Sequence, residues 1–450
     1  GDDDKAELAD VLGALAATAD GESEDDLIGL RMLYVQQAGL LDKLGREKEA
    51  AAALRAALDA DPEHMPSVLR LVALCDAAGD HPGLVDALER QMAITEDPAL
   101  QVPIAERIIK LSRETLETPE RAVPAYTAWV TAEPAAIAPL VGLAEVYGLS
   151  EQYVYQRDVL DRLVAVAHGT DPAAAYGYAR EVAKVCHEKL DDAEGAYQRL
   201  LPGTLAHDEA SREALHTLAL ATGRASALGD LYAGMAHQKG SGSDAKAGWL
   251  AAQAVYADHA KDPAKALDSL LRAFALDLDD GALLDQVDVA TVALEAYPRL
   301  EQVYETLLRR AETPTAKVAL LLRHAGILES KAAAPGDALD RVLRAISLTP
   351  TDEALFERAE ALAATTGRAA DLLPALDKRA NAFSNPADAV PAVLRAARYA
   401  ATQVGDAEAA MRYVRKATSL AHGNAEALGE IETLVRGMDE AAGGDTLRRA

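Results

Sequence analysis

The residues of this sequence whose chemistry could act on a partner are basic side chains on two predicted helices, at 103–116 and 175–190. They fall opposite the apolar face of each helix, and they are Lys110, Arg113, Arg180, Lys184 and His187. Lysine and arginine make strong, charge-assisted hydrogen bonds to carboxylates. If the two helices lie on adjoining turns of one array, the pattern predicts a basic patch that grips the acidic groups of a peptide. The alternative is a solvated helix face with local ion pairs.

The densest aromatic stretch of the chain, EVYGLSEQYVYQRD, is a second candidate surface. It contains Tyr147, Tyr153 and Tyr155. Tyrosine is common at protein interfaces because its ring adds contact area and its hydroxyl adds a hydrogen bond. We take Tyr153 and Tyr155 as candidate partner-binding residues, with ordinary packing between two helices as the alternative.

Motifs that hold phosphates, metals or nucleophiles do not occur in the sequence. GSGS at 240–243 lacks the lysine and the preceding strand of a phosphate-binding loop. HEKLD at 187–191 lacks the second histidine of a zinc-binding HExxH helix. DLDDG at 277–281 lacks the alternating acids of a calcium loop and is interpreted as a capped turn. We therefore predict no catalytic residue, no metal site, no cofactor and no enzymatic activity.

The helices that carry the candidate residues belong to a repeat. A small residue recurs at spacings of 72, 74, 70, 72 and 72, with a larger residue four positions on and a small one at +7 in five of the six copies. This order marks one face of a helix. The recurring residues are Ala50, Ala122, Ala196, Ala266, Ala338 and Ala410. The +12 positions, where proline favours a helix end, are Pro62, Pro134, Asp208, Leu278, Pro350 and His422.

Each repeat divides into four predicted helices, which make two hairpins of about 36 residues. In one unit they lie at 211–223, 226–238, 245–260 and 262–277. In the third copy, Pro202 and Gly203 are expected to cut the helix short and to make an irregular hairpin there.

The hairpin period resembles that of the tetratricopeptide repeat family. The match is best in Tyr34, Ala38, Leu41, Ala50, Leu54, Ala57 and Pro62. Alternate hairpins lack the aromatic and Gly–Tyr positions of the family and are similar to the divergent repeats of long bacterial arrays. A HEAT-type array is the rival fold, and its hairpins are longer, near 40 residues.

The resemblance implies an all-α, right-handed superhelical solenoid over residues 1–450, with about twelve hairpins and about 25 helices. Units of 72 residues would start near 61, 133, 207, 278, 349 and 421, with partial units at both ends. The resemblance also implies a protein-interaction scaffold that binds partner segments on its concave groove or at its open ends. The alternatives are a regulatory or sensor segment of a larger kinase- or transcription-linked protein, and a helical-toroid enzyme, for which the sequence shows no acid pairs or metal ligands.

The ends of the array are predicted to lack strong polar caps. The first predicted helix resembles the second helix of a hairpin, and Gly443 and Gly444 interrupt the tail. We therefore expect a segment of a longer protein, or a subunit whose ends meet partners, including end-to-end self-association. Short end helices that suffice as caps are the alternative.

Composition limits the choice of partner and compartment. The formal net charge of −27 makes nucleic acid and anionic membranes poor partners, because such a surface repels phosphate. Cys75 and Cys186 lie within apolar helical patterns and are predicted to be buried thiols and not a disulfide. Two unpaired cysteines and no visible signal peptide favour the cytoplasm, and a processed, exported form is the alternative.

Overall fold

The computed structural model of the chain describes residues 1–19, 23–421 and 424–441, the last three as backbone alone. His422 and the predicted glycine break at Gly443 and Gly444 lie outside the described residues. Within the described ranges the chain forms 24 α-helices and no strand, so the fold is an all-α solenoid of helical hairpins. None of the described helices is long and apolar enough to cross a membrane.

Two compact units make up the chain, and the first spans Gly1–Arg224. Its helices are α1 Asp2–Thr18, α2 Glu24–Lys43, α3 Glu47–Ala60, α4 Met65–Ala77, α5 His81–Ile94, α6 Pro98–Lys110, α7 Val123–Ala132, α8 Ile137–Leu149, α9 Tyr153–His168, α10 Pro172–Lys189, α11 Ala193–Leu205 and α12 Glu209–Ala221. Consecutive helices pack on one another as antiparallel hairpins, for example α2 on α3, α8 on α9 and α10 on α11.

The second unit begins at Ala225. Its helices are α13 Ala225–Lys239, α14 Ser243–Ala254, α15 Pro263–Leu276, α16 Gly281–Ala293, α17 Tyr297–Arg310, α18 Pro314–Ser330, α19 Pro335–Leu348, α20 Glu353–Thr366, α21 Leu373–Ala382, α22 Pro386–Tyr399, α23 Ala407–Leu420 and α24 Ala425–Ala441. Short π-helical turns extend α6, α14 and α22 over Leu111–Thr115, Val255–Ala260 and Ala400–Val404. Two 3₁₀ turns, Pro119–Ala122 and Ala369–Leu372, precede α7 and α21.

The recurring alanines are the contact points of the hairpins. All six are at most 6% exposed, and the larger residues four positions on are buried as well. A methyl group at this position lets two helices approach closely, and the larger residue fills the space beside it. The predicted repeat is therefore confirmed as the pattern of the core.

Many acidic residues begin helices. An aspartate carboxylate accepts a hydrogen bond from a backbone N–H of the first helical turn, which would otherwise lack a partner. The aspartates that do this include Asp80, Asp171, Asp192, Asp208, Asp262, Asp280 and Asp406. Part of the strong negative charge is therefore structural.

The prediction that Pro202 and Gly203 shorten their helix is wrong. Helix α11 continues through both residues to Leu205. A proline inside a helix removes one backbone hydrogen bond, and the remaining bonds and the packing of α11 hold the last turn. Gly203 is needed for space, because a Cβ atom there would lie 2.4 Å from Ser211 Oγ on α12.

Candidate partner-binding groove

A groove of about 390 Å³ runs between α10 and α12 in the first unit. Helix α11 closes its floor with Leu200, and Leu218 of α12 adds a second apolar side chain. Lys184 and His187 project from α10, and Glu188 and Glu213 add carboxylates to the walls. The remaining lining residues are Arg180, Ala183, Ala210, Ala214, Thr217 and Ala221. The groove thus combines an apolar floor with both hydrogen-bond donors and acceptors.

Lys184 and His187 are the basic side chains of this groove whose hydrogen-bond donors are available to a ligand. Both side chains are exposed, and neither forms a hydrogen bond or ion pair with any residue that the structure describes. They lie three positions apart on α10, so they project from one face of the helix. A carboxylate placed between them could accept hydrogen bonds from both.

Arg180, in the same groove, is paired with residues of the opposite wall. Its guanidinium donates to Asp208 at 2.5 Å and to Ser211 Oγ at 3.3 Å, and so ties α10 to the start of α12. Asp208 also caps α12 by accepting from the Ser211 backbone at 2.8 Å. The hydrogen bond from the Ser211 side chain and the nearby Arg180 charge lower the pKa of Asp208. The walls of the groove are thus fixed by this ion pair.

Lys110 and Arg113 do not line the groove. The hairpin α8–α9 follows α6 in the chain before α10 begins, so the two sets of cations are not on successive hairpins. Arg113 lies in the π-helical turn and donates to Tyr126 Oη at 2.9 Å and to Glu145 at 2.8 Å. Lys110 is exposed and has no side-chain partner among the described residues. The structure therefore brings together Arg180, Lys184 and His187.

The tyrosines lie around the turn between α8 and α9. Tyr155 is exposed, and its ring packs on Tyr147 with centroids 5.4 Å apart. The amino group of Lys189 lies 5.2 Å from the centre of the half-buried Tyr153 ring. Leu149 is also exposed at this turn, so the tyrosines border an apolar patch on the surface. Tyr155 thus packs on Tyr147 and is still exposed to solvent.

Sequence reasoning missed the network of ion pairs between hairpins. Arginines of one hairpin reach acids that lie roughly thirty to forty positions away along the chain. Examples are Arg107–Asp76 at 2.7 Å, Arg199–Asp161 at 2.6 Å, Arg358–Glu329 at 2.9 Å and Arg368–Asp340 at 2.7 Å. Arginine and acid recur in the sequence at about one hairpin period, and this recurrence is the signal that predicts such pairs. Both candidate arginines, Arg113 and Arg180, likewise pair with acids about thirty positions away.

A buried polar cluster links α16, α17 and α18 in the second unit. Tyr304 donates from Oη to Asp288 at 3.0 Å, and Arg323 donates from Nε to the same carboxylate at 2.8 Å. Burial raises the pKa of Asp288, although the arginine opposes the shift. His324 stacks on Tyr304 with ring centroids 4.5 Å apart, and its Nδ1 has no partner among the described residues. No group of residues able to hold a metal ion occurs in the described part of the chain.

Another groove, of about 1,060 Å³, lies between α22 and α24 in the second unit. Thr402 and Gly405 occupy the positions that Lys184 and His187 occupy in the first groove. Arg398 corresponds to Arg180 and pairs across the groove with Glu430 at 3.3 Å. An arginine–carboxylate pair thus crosses both grooves, whereas the unpaired lysine and histidine occur only in the groove between α10 and α12.

The two buried thiols agree with the sequence. Cys75 and Cys186 are both free and buried. Burial raises the pKa of each thiol, so the thiolate is disfavoured. They are packing residues of α4 and α10.

Comparison with known proteins gives only distant similarity. No protein-family model matches the chain, and no curated protein matches it. The chain is similar to the solved structure of Naa15/Naa10 bound to HypK-THB, with 16% identity and a TM-score of 0.29, covering 95% of this chain and 70% of that one.

Two bacterial structures are also similar to the chain. A tetratricopeptide repeat protein from Parabacteroides merdae has 12% identity and a TM-score of 0.21, covering 58% of this chain and 98% of that one. PilF from Pseudomonas aeruginosa has 14% identity and a TM-score of 0.20, covering 46% and 94%. Because these TM-scores lie below 0.5, the assignment of the fold depends on the helices themselves. Their period and small-residue contacts are tetratricopeptide-like.

Proposed function

We propose that this chain is a non-enzymatic protein-interaction scaffold that holds partner segments in the groove between α10 and α12. The observation that supports this is the pair of exposed, unpaired hydrogen-bond donors, Lys184 and His187, beside an apolar floor. Neighbouring arginines are already paired with carboxylates: Arg180 with Asp208 and Arg199 with Asp161. A free lysine amino group with a second donor beside it, in an otherwise paired and acidic surface, favours an acidic ligand.

The proposed mechanism is binding of an extended peptide to a surface that does not rearrange. An acidic side chain or a terminal carboxylate accepts hydrogen bonds from Lys184 and His187. An apolar side chain of the same segment packs on Leu200 and Leu218 at the floor. The Arg180–Asp208 pair holds the two walls before the ligand arrives, so less conformational entropy is lost on binding. A volume of about 390 Å³ admits a few side chains and not a folded domain.

The test is selection from a random peptide library against the intact chain, followed by binding measurements on the variants. Peptides that contain acidic residues should be enriched. In the double variant Lys184→Glu and His187→Glu, their affinity should fall at least tenfold, because two donors become repelling carboxylates. The matched control is Lys48→Glu with His168→Glu, which makes the same charge change at exposed positions on α3 and α9.

The control variant should bind the selected peptides as the original chain does. Both variants should keep the melting temperature, because none of the four side chains has a partner among the described residues. Equal loss of affinity in both variants would show that only general charge matters. Unchanged affinity in the groove variant would contradict the proposed site.

A further inference from the structure

A second pocket, of about 310 Å³, lies in the other unit between α17, α18 and α19. Three cationic side chains line it, one from each helix: Arg309, Lys317 and Arg344. Leu321 provides an apolar wall, and the only carboxylate among the lining residues is Glu305. Three cations and one carboxylate leave two net positive charges at this point, in a chain whose formal net charge is −27.

The cations of this pocket differ in what they contact. Arg344 donates from Nη1 to Glu305 at 2.5 Å, and this hydrogen bond is the main cause of the lowered pKa of Glu305. Arg309 donates only within its own helix, to the Glu305 carbonyl at 3.3 Å and to Thr306 Oγ1 at 3.2 Å. The Lys317 amino group has no partner among the described residues. Arg309 and Lys317 therefore form no ion pair with any residue that the structure describes, and the nearest opposing charge to Arg309 is that of Glu305, which Arg344 already holds.

The next repeat provides an internal comparison. The corresponding positions, 72 residues further along in α21, α22 and α23, hold Asn381 in place of Arg309 and Ala389 in place of Lys317. Lys416 and Asp377 retain the charges of Arg344 and Glu305, and Lys416 donates to Asn381. Because the same three-helix packing forms there without the two extra cations, the array does not need Arg309 and Lys317 in order to fold.

We propose that the pocket between α17, α18 and α19 binds a phosphate monoester. Such a group carries about −1.5 to −2 charges near pH 7 and has three acceptor oxygens, which match the two net positive charges and the free donors of Arg309 and Lys317. A carboxylate would neutralise only one of the charges. Arginine and lysine together are common phosphate ligands, the first through paired N–H groups and the second as a point charge. The group can belong to a small molecule or to a phosphorylated side chain of a partner.

The experiment measures binding of three probes to the intact chain by calorimetry at low and moderate salt. The probes are inorganic phosphate, a short peptide with one phosphoserine, and the same peptide with serine. The test variant is Arg309→Asn with Lys317→Ala, which installs the residues of the next repeat. The control is Lys331→Ala with Lys378→Asn, which removes the same charge from exposed positions of the same unit.

The proposal predicts that at least one phosphate probe binds and that its affinity falls at least tenfold in the test variant but not in the control. Tighter binding of the phosphopeptide than of inorganic phosphate would identify a phosphorylated partner, and equal binding would identify a small phosphate compound. The same measurable affinity for the serine and phosphoserine peptides, together with no binding of inorganic phosphate, would overturn the proposal. So would the absence of any phosphate binding, or an equal loss in the two variants while both keep the melting temperature of the original chain.

Discussion

Two cations of α10, one helical turn apart, differ in what they contact, and this difference decides their role. Arg180 bonds Asp208 and Ser211 across the groove, whereas Lys184 faces solvent. The sequence predicts both on one helix face, and both line the groove. It could not separate them, because the acid that neutralises Arg180 lies on another helix and is identified only once the hairpins are stacked.

The first prediction concerns this pair of residues. Arg180→Ala should lower the free energy of unfolding by about 1 kcal/mol, because it removes a partly buried ion pair and leaves the Asp208 cap without its cation. Lys184→Ala should change it by less than about 0.5 kcal/mol, as an unpaired surface side chain does. Urea unfolding followed by circular dichroism measures both. A larger loss for Lys184→Ala than for Arg180→Ala would reverse the assigned roles.

A second residue-scale prediction concerns the buried His324. Burial lowers its pKa below the usual 6.5, an effect that Arg341 and Arg344 of α19 strengthen and Glu301 and Glu305 of α17 oppose. The folded chain therefore holds the ring neutral, while the unfolded chain takes up a proton below about pH 6.5. The stability that the neutral ring contributes is complete above that pH and is lost as the pH falls.

His324→Phe should retain the stacking on Tyr304 and cannot be protonated. The variant should therefore gain stability relative to the original chain as the pH is lowered from 7 to 5. Above pH 7, the difference in the free energy of unfolding between the two chains should be small. Denaturant midpoints, measured across this range, give the difference directly. The same difference in stability between the two chains at every pH would contradict the neutral, buried state of the ring.

At the scale of the helices, close approach decides which small residues matter. Gly203 of α11 faces Ser211 of α12, where a Cβ atom would lie 2.4 Å from Oγ and 2.8 Å from Cβ. Gly177 of α10 has only the Arg180 guanidinium within 4 Å, at 3.8 Å. The sequence offers no means of distinguishing these two glycines, since both lie in helical patterns.

Gly203→Ala should therefore destabilise the chain by about 1–2 kcal/mol, because the overlap exceeds the gain in helix propensity. Gly177→Ala should stabilise it by about 0.5 kcal/mol, since the added methyl group has room. Thermal unfolding of the two single variants provides the comparison. Stabilisation by Gly203→Ala would mean that α11 and α12 are further apart than described.

The helices were largely predictable from the sequence, but the side-chain contacts between helices were not. Period and small-residue spacing predicted the hairpins, because the same contact recurs at Ala50, Ala122 and their counterparts. The prediction at Pro202 was wrong, because the packing of α11 on its neighbours outweighs the cost of one lost backbone hydrogen bond. That packing cannot be recognised from the sequence of one helix alone. The groove was half predicted: Arg180, Lys184 and His187 line it, but Lys110 and Arg113 do not.

In the molecule as a whole, the free energy of unfolding should differ from one part of the array to another. Stacked repeats contact their neighbours in sequence, so different parts of an array can unfold at different denaturant concentrations. Each compact unit contains one tryptophan, Trp129 in the first and Trp249 in the second. The two rings can therefore report on the two units separately.

Single-tryptophan variants, Trp129→Phe and Trp249→Phe, should show fluorescence unfolding midpoints that differ from each other. Helical circular dichroism of either variant should follow a broader transition than a two-state chain of this length gives. The original chain, measured by circular dichroism, serves as the reference for any loss caused by the substitutions. Coincident midpoints from both tryptophans and from circular dichroism would instead indicate one cooperative unit.

Site-specific photo-crosslinking would show whether partner segments lie in the groove between α10 and α12. A photoreactive residue replaces Ala214 in the groove or, as a control, the exposed Ala52 on α3. Adducts with acidic segments are expected at position 214 and should disappear when Lys184 and His187 become glutamate, and no such adducts are expected at position 52. The same adducts at both positions, or adducts that persist in the double variant, would contradict binding in this groove.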